Sequence, residues 1–225
     1  MPSRLRPIDA ALATLATIVV SAVGAGVVVG ALGHESFDDA PVEALIAGQA
    51  VLWACLLGFP LLLSRRRGTG DPVRDLRLRT TWRDVPLGVG AGVATQIAVL
   101  VFLPLYDLVG IDPDKAGESA QDLADRADDP VAAALLVVMA VLMAGALEEV
   151  FYRGLWLRCL ERLPQVAAVA ISSVVFAVVH FDPYTFLPLV VVGAVAAVLT
   201  LRTDRIGPAV WMHMAFNGVS LAFLL

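Results

Sequence analysis

The stretch that decides the fold is residues 131–154, which read VAAALLVVMAVLMAGALEEVFYRG. Residues 131–147 carry no charge, and they are followed by two adjacent carboxylates, Glu148 and Glu149, and by Arg153. An uninterrupted apolar run of this kind is typical of a membrane-spanning helix. Ionisable groups at membrane depth cost about 2.5–3.5 kcal/mol each on insertion scales, so their presence indicates function. The stretch therefore predicts a membrane protein with a functional site inside one of its spans.

The composition of the whole chain predicts the same class. Hydrophobic residues make up 59% of the chain and charged residues 16%, with a mean hydropathy of +0.81, whereas soluble domains are about 45–50% apolar and about 25% charged. At about 20 residues per span, the 225 residues predict an all-α, polytopic bundle of about seven transmembrane helices. We expect a single transmembrane domain over 1–225 that contacts the lipid bilayer and no nucleic acid. We interpret Cys55 and Cys159, far apart in apolar segments, as packing residues.

Seven apolar segments alternate with short charged loops. The fourth is predicted to continue as helix through Arg162, with Leu163 and Pro164 forming the turn before the fifth. In the third, Gly88, Gly90 and Gly92 indicate close helix packing rather than a phosphate-binding loop, because no strand precedes them. The predicted spans are about 8–32, 44–63, 85–108, 130–162, 165–181, 186–201 and 206–225.

Basic residues are strongly segregated along the chain. The loop 64–84 holds seven arginines, whereas the loops 33–43 and 110–130 are acidic. A short loop this rich in arginine marks the cytoplasmic side, which predicts a cytoplasmic N-terminus and an external C-terminus. This topogenic role is favoured over a contact with anionic lipid. The abundance of Ala, Val, Arg and Asp with a single lysine indicates a high-GC bacterium, and hence the bacterial plasma membrane.

The turn at Pro164 connects two polar features of neighbouring spans. Glu148 lies sixteen residues before Pro164 and His180 sixteen residues after it. With an equal rise of about 1.5 Å per residue, an antiparallel hairpin places the two side chains at the same depth, facing each other. A carboxylate opposite an imidazole can activate a water molecule. Glu149 and Arg153 are four residues apart, which favours an ion pair and leaves Glu148 free.

The last span carries a second polar pair, His213 and Asn217, which share one helical face because they are four residues apart. Each feature also has an ordinary structural interpretation. The two glutamates with Arg153 fit a helix end that meets solvent, His180 fits an interfacial residue, and Phe176 fits a packing residue. His213 and Asn217 fit interhelical hydrogen bonds, worth about 0.6 kcal/mol on average in membranes. Three helices that offer these groups at similar depth favour a site.

The ordered set of motifs Glu148-Glu149-x-x-x-Arg153, Phe176-x-x-x-His180 and His213-x-x-x-Asn217 resembles the CPBP family of intramembrane proteases. This family includes the CAAX prenyl endopeptidases of the Rce type and the bacteriocin-processing or abortive-infection membrane proteins. The resemblance covers about 131–225. It implies an endopeptidase in which Glu148 and His180 activate water and His213 and Asn217 bind the oxyanion. Glu149 and Arg153 would hold their helix in place.

The resemblance leaves the source of the activated water open. Members of the family have been called metalloproteases, and Glu148, His180 and His213 have the chemistry to hold a zinc ion with water as the fourth ligand. The motifs contain no Ser or Cys as a covalent nucleophile, so we expect direct attack by water. We expect the reaction chamber on the cytoplasmic side of the membrane, with Glu148 facing His180 across the turn at Pro164.

The substrate and the class of protein also keep alternatives. The expected substrate is a membrane-anchored peptide or protein, and prenylated CAAX proteins are not expected in a bacterium. Peptide maturation, bacteriocin self-immunity and membrane-protein turnover all remain open. The alternative from another class is a non-proteolytic membrane protein, such as a small transporter or an immunity or scaffold protein. Its buried polar residues would then serve helix association or ion passage.

Overall fold

The fold is a bundle of helices, seen in a computed structural model that describes residues 4–110 and 112–225. No strand occurs in these two ranges, which confirms the predicted all-α class. The fourth helix, α4, continues as a 3-10 helix over Leu103–Val109, and Pro113–Lys115 forms another 3-10 turn. The helices are α1 (Pro7–Ala31), α2 (Val42–Arg67), α3 (Pro72–Asp75), α4 (Asp84–Phe102), α5 (Glu118–Ala124), α6 (Pro130–Cys159), α7 (Gln165–Val178), α8 (Phe186–Thr203) and α9 (Gly207–Leu224).

Five segments are long and apolar enough to cross a membrane: α1, α2, α4 with its 3-10 extension to Leu108, α6 and α8. The shorter apolar helix α7 and the eighteen-residue helix α9 complete the seven segments that the sequence predicts. One side of α1 exposes a row of large apolar side chains, which in water would be a contiguous hydrophobic patch. The chain is therefore an integral membrane protein. The row consists of Ile8, Leu12, Leu15, Val19, Val23 and Val27.

The observed helix ends correct three of the predicted boundaries. Helix α6 ends at Cys159 rather than Arg162, because the chain turns at Leu160, whose carbonyl accepts a hydrogen bond from the Leu163 N–H at 2.9 Å. The turn before α7 therefore occupies 160–164. Helix α7 ends at Val178 and not at 181, so His180 lies in the loop that follows it. At the other extreme, α2 runs on through its three arginines to Arg67.

The loops meet at two ends of the bundle, which we call the basic end and the acidic end. At the basic end the Arg4 N–H donates to the carbonyl of Arg67, and Arg205 binds Asp84 across 121 residues of sequence. Arg158, at the end of α6, lies 4.0 Å from Asp75. At the acidic end Arg126 donates to the carbonyl of Phe37 at 2.6 Å. The loops therefore alternate as predicted, while the assignment of the basic end to the cytoplasm stays a prediction.

The glycines of α4 bring this helix close to α9. A Cβ atom at Gly88 would lie 2.5 Å from the Cβ of Trp211, and one at Gly92 would overlap the carbonyl oxygen of Met212. Gly90 faces open space instead. Close packing, predicted from the three glycines, is confirmed at two of them. It fixes the helix that carries His213.

The largest core cluster surrounds the half of α6 that is nearer the basic end, where this helix meets α7, α8 and α9. Phe151, Leu155, Phe176, Val192 and Met212 are completely excluded from solvent there. Such close-packed side chains hold the helices that carry the polar motifs in one arrangement. The two cysteines are buried and unpaired, as their interpretation as packing residues requires.

Candidate active site

Three helices bring the predicted polar residues together around Glu148. Its Oε2 atom lies 4.0 Å from Nε2 of His180, which follows α7, and 4.0 Å from Nε2 of His213 on α9. Glu148 and His180 therefore face each other across the hairpin, as the spacing around Pro164 predicts. The approach of a second imidazole to the same oxygen makes the site a carboxylate between two histidines.

Both imidazoles are held by their other nitrogen. Nδ1 of His213 lies 2.9 Å from Oε1 of Glu149, and Nδ1 of His180 lies 2.7 Å from the carbonyl oxygen of Phe176. A carbonyl oxygen can only accept, so Nδ1 of His180 carries the proton of that bond. Partners of this type fix the ring orientation and the tautomer of a histidine. Each ring consequently turns Nε2 toward Glu148.

Glu149 and Arg153 form the predicted ion pair in the interior of the bundle. Both side chains are completely buried, with Arg153 Nε 3.2 Å from Glu149 Oε2. Arg153 Nη2 also donates to the carbonyl of Gly193 at 3.1 Å, and its guanidinium carbon lies 4.7 Å from the centre of the Phe176 ring. Buried charges persist when they are paired. Glu148, by contrast, has no Lys or Arg partner among the described residues, and its side chain is 15% exposed.

Phe176 is the apolar centre of the site and not only a support for His180. Its ring is fully buried and meets His180 edge-on at 4.9 Å and His213 at 5.7 Å between centroids. Tyr152 approaches the same ring at 5.2 Å. The sequence motifs did not indicate Tyr152 or Gly193. No sequence signal marks Gly193, since it lies within an ordinary apolar span.

Asn217 lies one turn beyond His213 and bonds to α6. Its Nδ2 donates to the carbonyl of Ala140 at 2.8 Å, about 12 Å along α6 from Glu148. The structure thus places Asn217 at the edge of the cluster, with one amide hydrogen already used. This bond is of the interhelical kind that the sequence left open as an alternative.

Helix α6 is not a uniform α-helix. It is π-helical over Val138–Met143 and again over Val150–Trp156, on either side of the short α-helical segment that holds both glutamates. Short π-helical segments are rare and occur frequently at functional sites. The sequence-based prediction of the hairpin used the same rise per residue along the whole helix, so it could not reveal these π-helical segments.

Residues 130–219 match the family model of the Rce1-like proteins, described as type II CAAX prenyl endopeptidases. Over this segment the chain is similar to the Rce1-like family. The match begins at the first residue of α6 and ends within α9, so it includes all six predicted site residues. It confirms the predicted relation to the CPBP intramembrane proteases. No curated protein and no solved structure matches the chain.

The candidate site borders a cavity of about 450 Å³. Glu148, Tyr152 and His180 form one wall, while α1 and α2, which precede the matched segment, form the other. The cavity extends to Phe37, in the loop at the acidic end. His180 lies in the loop that follows α7, on the acidic side of this helix. The predicted location of the chamber on the cytoplasmic side of the membrane stays a prediction.

Glu148, His180 and His213, considered above as zinc ligands, lie close together, with Glu148 Oε2 4.0 Å from each Nε2 atom. Among the residues that the structure describes, no group of three or more His, Cys, Asp or Glu side chains is arranged to hold a metal ion. The zinc site stays a prediction.

Proposed function

We propose that the chain is an intramembrane endopeptidase of the CAAX type, which hydrolyses a peptide bond of a membrane-associated peptide or protein. The observation that carries this proposal is the carboxylate of Glu148, 4.0 Å from the Nε2 atoms of both His180 and His213 at the wall of a cavity. A polar separation of this size is spanned by one bridging water. That water is the proposed nucleophile.

In the first step Glu148 accepts a proton from the water while the oxygen attacks the scissile carbonyl carbon. His180 orients the same water, because its Nδ1–H bond to the backbone leaves an unprotonated Nε2 that can accept a hydrogen bond. The protonated Glu148 then delivers its proton to the leaving amine. General acid–base catalysis of this kind contributes roughly 10²–10⁴-fold to the rate.

The tetrahedral intermediate carries a negative oxygen that needs hydrogen-bond donors. His213 supplies one when it holds both protons, because Nδ1–H then donates to Glu149 and Nε2–H is free for the oxyanion. The family resemblance implies Asn217 as a second donor, but its amide bonds to Ala140, about 12 Å along α6 from Glu148, so the oxyanion role is proposed here for His213 alone. Glu149 and Arg153 act behind His213: the ion pair holds the carboxylate, and the carboxylate holds the imidazole.

Purified protein in vesicles tests the proposal with a lipid-anchored peptide. Cleavage is expected for the unaltered chain and is expected to be lost in Glu148→Ala and in His180→Ala. Cleavage that survives both substitutions equally would sink this mechanism. A chelator titration of the same assay addresses the metal: activity that is lost and then restored by zinc would assign a metalloenzyme.

The interhelical bonds of His213 and Asn217 support a second candidate, a non-proteolytic membrane protein whose polar residues serve helix association. This candidate predicts that substitutions of these residues change the stability of the bundle and that no peptide is cleaved. Unfolding measurements alongside the cleavage assay separate the two. A Glu148→Ala variant that is fully stable yet inactive would favour the protease.

A further inference from the structure

Gln49 is a polar residue for which the proposed mechanism has no use. It lies on α2, in the wall of the cavity opposite Glu148 and His180. Its side-chain amide has no hydrogen-bond partner among the residues that the structure describes, although it is only partly exposed. Most of the other residues in this wall are apolar, including Leu52, Leu56 and Ile18. An amide in such surroundings is costly unless something bonds to it.

Thr17 gives a second observation on the neighbouring helix. It lines the same cavity, is 5% exposed, and its Oγ1 has no hydrogen-bond partner in the described part of the chain. Hydroxyls inside helices commonly donate to the carbonyl four residues earlier, as Thr14 does to Ala10 and Thr95 to Ala91. Thr17 does not. Rotation about its χ1 bond exchanges the methyl and hydroxyl groups at the cavity wall.

The two residues match the chemistry of an extended peptide. A peptide that leaves its helix inside the membrane loses its own backbone hydrogen bonds, and every N–H and C=O must find a new partner. A glutamine side chain offers both an acceptor and donors, so it can pair with one peptide group in both directions. An acyl chain or another apolar occupant would leave the amide and the hydroxyl unsatisfied.

We propose that Gln49, assisted by Thr17, binds the backbone of an extended substrate peptide and so positions the scissile bond at Glu148. This inference rests on the proposed function, since it names the substrate contacts of that same site. It assigns a role in substrate binding to α1 and α2, which lie outside the Rce1-like match over 130–219. The apolar remainder of the wall then receives the side chains of the peptide.

The test measures binding of a short fluorescent peptide that carries one fatty acyl anchor, in phosphatidylcholine vesicles. Glu148→Gln protein is used so that the probe is not consumed. Adding Gln49→Met, which keeps the size but removes the amide, is expected to weaken binding about fivefold, the effect of one net hydrogen bond. Thr17→Val is expected to weaken it by a smaller factor. The matched controls are Gln165→Met at the start of α7 and Thr200→Val, a buried hydroxyl without a partner in the described part of the chain, both outside the cavity. Neither control is expected to change binding.

Ester analogues of the probe show whether the backbone is the group that is bound. Replacing one amide by an ester removes one N–H, and at one position this is expected to cost about fivefold with Gln49 present and nothing further in Gln49→Met. This scan also works with Gln49 in place if the methionine variant does not assemble. Equal binding by Gln49→Met, an equal loss in the Gln165→Met control, or no sensitive ester position would each overturn the inference. Cleavage by the unaltered chain reports separately on the proposed function.

Discussion

Two ion pairs of this protein, each with a completely buried carboxylate, differ in how completely they are hydrogen-bonded. At the basic end, Arg205 donates to both oxygens of Asp84 at 2.7–3.0 Å, and the Thr81 N–H donates to the same carboxylate at 2.7 Å. In the candidate site, Glu149 Oε2 and two nitrogens of Arg153 have no hydrogen-bond partner among the described residues. The first arrangement is that of a structural clamp.

The difference indicates what each pair is for. Carboxylate and guanidinium at the basic end satisfy each other's hydrogen bonds, and the hydrogen bonds to Asp84 raise the pKa of Arg205. In the site, the geometry of Glu149 is set by His213 at 2.9 Å and not by an ideal fork with Arg153. A buried polar group without a partner requires an explanation. In the proposed mechanism, Glu149 uses its other oxygen to orient the imidazole of His213.

Removing the cation of each pair tests this difference most strongly. Arg153→Met leaves the carboxylate of Glu149 completely buried and without its cation, bonded to the imidazole of His213, which is expected to lower the free energy of unfolding by about 3–5 kcal/mol. Arg205→Met is expected to cost less, about 1.5–3 kcal/mol, because Asp84 keeps the Thr81 N–H and lies at the bundle end. Unfolding in mixed micelles measures both. A larger loss in Arg205→Met would contradict the account.

A double substitution separates stability from catalysis. Glu149→Gln combined with Arg153→Met removes both buried charges, so the stability lost in Arg153→Met is expected to return in large part. Activity is expected to stay about 10–100-fold below that of the unaltered chain, the range seen when partners that orient a functional histidine are lost. Parallel unfolding and cleavage assays test this. Full recovery of cleavage together with stability would assign the pair a structural role only.

Packing behind the site can be tested at α4. Gly92→Ala places a methyl group against the carbonyl oxygen of Met212, one residue from His213, and is expected to cost about 1–3 kcal/mol. Gly90→Ala faces open space on the same helix and serves as the control. The unfolding free energies of the two variants give the comparison. Equal stability of both would show that α4 and α9 are less closely packed than described.

The smallest expected effect concerns an exposed carboxylate at the acidic end. Hydrogen bonds from the Ser36 hydroxyl and backbone N–H hold the pKa of Asp39 at about 2, against an ordinary value of 3.8. Because this pKa is lowered in the fold, the ionised Asp39 stabilises the folded state. This contribution to the free energy of unfolding is complete above pH 3.8 and is lost as the pH falls through 2. NMR titration of the Asp39 carboxyl carbon measures it. A titration midpoint near 3.8 would contradict these hydrogen bonds. Ser36→Ala is expected to raise the midpoint above that of the unaltered protein.

The general architecture could be predicted from the sequence, and so could the proximity of Glu148, His180 and His213. The spans follow from hydrophobic length, and the facing of Glu148 and His180 follows from their equal distance to Pro164. The orientation of the imidazoles by Glu149 and by the Phe176 carbonyl was not predictable, because it depends on the π-helical segments of α6 and on the loop position of His180. Gly193 was missed for a related reason: only the close approach of α8 brings its carbonyl to Arg153.

In the proposed mechanism, Glu148 activates water for peptide hydrolysis. The most direct measurement compares the cleavage rate of a lipid-anchored peptide by Glu148→Gln with that by Glu43→Gln, a glutamate at the acidic end of α2. The account predicts a loss of roughly 10²–10⁴-fold for Glu148→Gln, an unchanged rate for Glu43→Gln, and normal folding of both. Equal rates for Glu148→Gln and the unaltered protein would contradict it.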